Sequence, residues 1–295
     1  MGLQNSFSVP RLPISLPWGA GGRKSGLPLV LLAVAPVVLP AAYAAYVLRQ
    51  GARRTTASAS ISPPDPLTGA NSNATAGGGG GGGGDTLAIP PAVLAAPDEH
   101  VVGRERIVSE AVPLASILPA LQERGSGDAE TRGLLETYLG ATMRAFTWTP
   151  QAFAMKSMVA RLPGGAAHAE TFSAPYLDAC RFEAGDRICG VYLVRERVSR
   201  DRGERAFLDL SPPEGWRGPV VAGVLDCGFV IEEKGGEEFV RFVNETVLWR
   251  RKAEKPTLLE GTISRWFHTL MVGWMMVKGV QAVTGNDARA KTKTT

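Results

Sequence analysis

Three titratable side chains stand among apolar neighbours, and their types suit proton transfer. Asp226 lies inside the run VVAGVLDCGFVI at 220–231, where an ionised carboxylate is costly without a partner. Glu245 lies on the next predicted strand, on the face it shares with Phe239, Arg241, Val243, Val247 and Trp249. His268 follows Phe267 at the border of an apolar helical stripe. Two carboxylates turned into one cavity titrate as a pair, and an imidazole beside them can act as acid or base. A structural reading competes with this one. In it Arg241 and Arg195 neutralise the two acids, and His268 is a half-buried residue bonded to a sheet carbonyl.

No other motif argues for catalysis. The chain has no nucleophile elbow, P-loop, dinucleotide fingerprint or metal-ligand spacing, and the glycines at 164–165 and 235–236 belong to turns. Cys180, Cys189 and Cys227 are odd in number and match no paired metal motif. Their apolar surroundings mark them as buried free thiols, with a Cys180–Cys189 disulfide open if the domain is luminal. No metal and no cofactor is expected. His100 and His168 fall in loops or at the edge of a linker and are expected in solvent.

The elements that must position these residues follow from periodicity. A strand is predicted over 101–112, then helices over 114–124 and 128–146, with a further turn at 152–159. The pattern then switches to period two. Strands are predicted over 186–198 and 205–210, followed by a hairpin whose arms, 219–232 and 237–251, are joined by Glu233-Lys234-Gly235-Gly236. Thr257 and Glu260 form a capping box that opens a long helix, which Gly285 ends.

This order predicts an α+β fold: an antiparallel sheet, two or three preceding helices, and a long C-terminal helix packed on the sheet. It is compatible with a helix-grip arrangement, in which the sheet wraps the last helix around an apolar cavity. An NTF2-like cone is the alternative, although that cone normally finishes on strands. In either, Trp249, Trp266, Phe267, Leu270 and Trp274 are the expected lining of an apolar ligand site.

Ahead of this domain, residues 27–48 (LPLVLLAVAPVVLPAAYAAYVL) hold no charge and span roughly 33 Å as a helix. Pro36 and Pro40 would be costly in a soluble helix and are better tolerated in lipid. A single transmembrane pass is therefore expected, after a basic leader at 1–26. Basic residues balance across it, so the orientation and the choice between mitochondrial and secretory membranes stay open. Residues 49–97 are rich in Gly, Ser and Pro, include eight consecutive glycines at 77–84, and read as a disordered tether. The folded domain is expected over 98–285, with a basic tail at 286–295.

The net charge of +4 over 295 residues owes much to the two ends, which argues against nucleic acid as a partner. Membrane is the expected partner. Three functions fit: a membrane-anchored module that binds an apolar small molecule or lipid, an isomerase- or cyclase-type enzyme in the same cavity, or a structural partner in a membrane complex. The last predicts an exposed apolar patch on the final helix.

Overall fold

Period-two alternation builds most of the sheet. The computed structural model describes residues 46, 49–51, 53–62, 89–122, 132–218 and 220–285. In chain order the strands are β1 (Thr55–Ser62), β2 (His100–Ser109), β3 (Val112–Pro113), β4 (Arg187–Ile188), β5 (Tyr192–Arg200), β6 (Gly203–Leu210), β7 (Ala222–Lys234) and β8 (Glu237–Arg251). They form one antiparallel sheet in the order β1-β2-β8-β7-β6-β5-β4, with β3 also paired to β8. Gly235 and Gly236 close the β7–β8 hairpin with φ of 65° and 82°, the paired left-handed conformation of a tight two-residue turn.

The helices are α1 (Pro91–Ala95), α2 (Pro119–Gln122), α3 (Leu134–Phe146), α4 (Pro150–Val159), α5 (Gly165–Glu170), α6 (Ala174–Ala179) and α7 (Thr262–Val283). Thr149 caps α4 by accepting the Ala152 N–H, and Ser173 caps α6 by accepting the Tyr176 N–H. α3 and α7 cover one face of the sheet, here called inner, around Tyr138, Leu139, Phe229, Phe242 and Met276. A smaller cluster of Ile89, Val93, Val102, Phe207, Val224 and Val247 packs on the outer face beneath α1.

Five expectations need correction. The helix expected over 114–124 is a 3-10 turn at Leu114–Ser116 and the short α2, separated by the extended Ile117. β1 and α1 fall inside the stretch assigned to the tether. Composition concealed β1 because Thr, Ala and Ser carry little apolar signal; what orders it is a full ladder with β2, from Thr55 opposite Ser109 to Ser62 opposite Val102. The strand expected over 186–198 is broken between β4 and β5, where Cys189 and Gly190 take φ of 46° and 71°. Helix α3 begins at Leu134 rather than 128, and Asp128, its expected cap, lies outside the described residues. Helix α7 begins at Thr262 rather than 257. Glu260 does accept the Thr257 N–H, at 2.7 Å, but its carboxylate is also gripped by Arg250 at 2.6 and 2.7 Å. Residues 257–260 are thus a turn pinned to the end of β8.

The apolar stretch 27–48 lies outside the described residues except for Tyr46, as do the leader and the tail. Among the described residues no helix is long and apolar enough to cross a membrane.

Candidate functional site

The three candidate proton-transfer residues do not meet. Asp226 and Glu245 are directly opposed across the β7–β8 ladder, and both belong to the outer register with Phe207 and Val247. His268 belongs to α7, on the inner face. The sheet itself separates it from the two acids, which excludes a shared site.

Asp226 and Glu245 are buried at 1% and 3% exposure. Arg205 neutralises Asp226, donating from Nε to Oδ1 at 2.9 Å and from Nη2 to Oδ2. Arg104 and Arg106 flank Glu245 at 3.8 and 3.5 Å. Burial pushes the Asp226 carboxyl up to about 6; Arg205 works against the rise and Glu245 adds to it. Arg205 and Arg195 also sit over the Phe207 ring at 5.6 and 5.7 Å. The arrangement is a charge network on the outer face of the sheet. The expected neutralisers act elsewhere: Arg241 pairs with Glu232, and Arg195 with Asp209.

On the inner face His268 Nδ1 hydrogen-bonds to Glu105 Oε2, and Thr269 donates its hydroxyl to Glu105 Oε1. Glu105 is 1% exposed. Sequence reasoning missed it, although β2 alternates and Glu105 shares its face with Ile107, an apolar core position. The contact fastens the amino half of α7 to β2. Glu105→Ala is expected to cost about 2–3 kcal/mol, as for a hydrogen bond to a charged group. In a urea-unfolding cycle with His268→Ala the two losses should be non-additive by about 1 kcal/mol; additive losses would show that the pair is not coupled.

The five residues expected to line a cavity are also divided. Trp249 packs on the outer cluster, across the sheet from α7. On α7, Leu270 and Trp274 are half-buried, while Trp266 and Phe267 are 51% and 58% exposed and meet edge to face at 4.9 Å. Where α7 faces the interior, α3 fills the space. A Cβ on Gly279 would lie 2.4 Å from Thr142 Oγ1 and 2.6 Å from the Tyr138 ring, so the helices touch through that glycine.

A charge cluster on the helical side was also not foreseen. Glu136 accepts from Arg181 at 2.9 Å, from Arg197 at 2.8 Å and from the Gly133 N–H at 3.1 Å, tying the start of α3 to β5. Burial alone would raise this carboxyl, but Arg197, Arg181 and Gly133 outweigh it and hold it low. All three cysteines are free and buried, and burial pushes the Cys180 thiol up to about 12 and the other two higher still. Among the described residues no group of His, Cys, Asp and Glu is arranged to hold a metal ion.

Among the described residues the amino half of α7 presents an exposed apolar surface. Ile263 is 74% exposed and continues the Trp266–Phe267 pair toward the start of α7. The segment that joins β8 to α7 carries exposed Lys252 and Lys255, following exposed Arg251 at the end of β8. At the other end of the stripe Gly273 and Trp274 meet the incoming chain, where Tyr46, Arg49–Gly51, Arg53 and Arg54 are helical. A Cβ on Gly51 would lie 4.0 Å from the backbone of both. Comparison with protein-family models, with curated proteins and with solved structures finds no match.

Proposed function

We propose that this protein is a membrane-anchored docking module whose domain lies against the bilayer through the amino half of α7. The observation that carries this reading is the joint exposure of Ile263, Trp266 and Phe267 on a helix otherwise packed against α3 and β2. Exposed aromatics on a helix that follows a cationic segment suit the headgroup region, where rings sit at the apolar boundary and Lys and Arg meet lipid phosphates. The stripe also runs toward Gly51, so the chain that follows the proposed anchor at 27–48 enters the domain beside it. An apolar-ligand cavity has weaker support, because Tyr138 and Thr142 occupy the space between α3 and α7. The strand order, with β2 beside β8 and a final helix on the sheet, is compatible with a helix-grip arrangement.

The test is an environment-sensitive fluorophore on Ile263→Cys in the full chain, reconstituted into vesicles of neutral and anionic lipid. A blue-shifted emission, quenched by brominated acyl chains and weakened by Lys252→Glu with Lys255→Glu, is the expected result. Emission unchanged from that of a probe on Val220→Cys, with free access to aqueous iodide, would sink the membrane reading. A blue shift that brominated lipid leaves unquenched would instead give the stripe to a protein partner.

A further inference from the structure

The open edge of β1 is a second unpartnered surface, and its occupant is defined by backbone chemistry. β1 ends the sheet, so along one side its N–H and C=O groups have no strand to meet among the described residues. Natural edges of this length are usually blunted by charge, proline, a bulge or a covering element. β1 has eight residues, TTASASIS, with no charge and no proline, and its ladder to β2 runs without a register shift. The opposite edge, β4, is blunted by being two residues long.

β1 is also poorly supported by burial. Its six central residues are exposed, so the side chains on both faces leave the strand held chiefly by its ladder to β2. Ordering each residue costs about 1–2 kcal/mol of backbone entropy, against about 0.5–1.5 kcal/mol net per hydrogen bond. A second strand on the free edge would supply the missing half of the pairing.

We infer that β1 pairs antiparallel with β1 of a second copy of this chain, joining two sheets across a two-fold axis near Ala59. The strand is self-complementary in this register. Thr55, Ala57, Ala59 and Ile61 share the inner face with Ile107 of β2, while Thr56, Ser58, Ser60 and Ser62 share the outer face. A two-fold normal to the sheet sets Ser58 opposite Ser60, Thr56 opposite Ser62 and Ala57 opposite Ile61. Small hydroxyls meet small hydroxyls, and no like charges are opposed. That axis also keeps both copies of α7 on one side of the joined sheet. Both apolar stripes can then meet a single membrane, although the pairing itself rests only on the edge.

The experiment uses the full chain in mild detergent, where no bilayer contributes. Light scattering should give the mass of two chains. Ala59→Cys should form a disulfide-linked or bis-maleimide-linked dimer under mild oxidation or short cross-linker, while Val220→Cys, also exposed, should not; the native thiols are buried and give no background. Ala59→Lys should weaken self-association by at least about tenfold, a 1.4 kcal/mol change, and leave the melting curve of the monomer in place. A one-chain mass for the unmodified protein overturns the proposal. So does a dimer that Ala59→Lys leaves intact, or Ala59→Cys cross-linking no better than the control.

Discussion

Arg205→Ala is expected to destabilise the domain by about 3–5 kcal/mol at pH 8, the cost of leaving a buried charge without its partner. Asp226 is 1% exposed and faces Glu245 across the ladder, so once the guanidinium is gone two buried acids are left with only Arg104 and Arg106, which lie at Glu245. The loss should shrink markedly at pH 5, because Asp226 then folds in its neutral form. The sign in the unmodified protein follows from its raised carboxyl, near 6 in the fold against about 3.9 in the unfolded chain. The folded state holds this proton more tightly. Its contribution is therefore complete below about pH 4 and disappears as pH rises through 6, a change of order 3 kcal/mol. Asp226→Asn should flatten stability between pH 4.5 and 7.5 in urea titrations, whereas an unchanged slope would assign the pH dependence to another group. Replacing both partners with apolar residues, Arg205→Met with Asp226→Leu, should recover most of what Arg205→Ala loses.

The second large effect belongs to Tyr138. Its side chain is fully buried, stacked on Phe242 at 4.4 Å between ring centres, and its hydroxyl donates to Asn244 Oδ1 at 2.8 Å. It also lies against Gly279, so one ring joins α3, β8 and α7. Tyr138→Ala should cost about 3–5 kcal/mol as a large-to-small change in a close-packed core. Tyr138→Phe keeps the stacking and leaves the Asn244 oxygen unsatisfied, for about 1–3 kcal/mol. Denaturant midpoints measure both. Equal losses for the two variants would mean that the hydrogen bond, and not the packing, holds the three elements together.

The parts of this fold that the sequence discloses are those carried by strong alternation. The β7–β8 hairpin was legible because glycines sit at its turn and apolar residues recur at period two on both arms. Helix α7 was legible from its apolar stripe, but its start was not, since Glu260 is claimed by Arg250 from the end of β8. Strand β1 was hidden because its order comes from β2 and not from its own side chains. At the sites, single positions were found and pairings were not. Asp226 and Glu245 stood out as acids in apolar strands, yet their partners Arg205, Arg104 and Arg106 depend on strand order, which periodicity does not encode. Glu105 escaped because two arginines surround it and give β2 a polar look, when only its alternate residues face α7.

The strand order also constrains synthesis. β2 lies beside β8, and Arg106 meets Glu245 across 139 residues of chain. At about 5–20 residues per second a ribosome needs on the order of 7–30 s to extend the chain across that gap. Throughout that interval β2 has no central partner, and β1 has only β2. The middle of the sheet is thus completed by pairing strands far apart in sequence, a non-local closure of the kind that folds slowly. However quickly the β7–β8 hairpin forms by itself, β1 and β2 join the rest of the sheet only through β8.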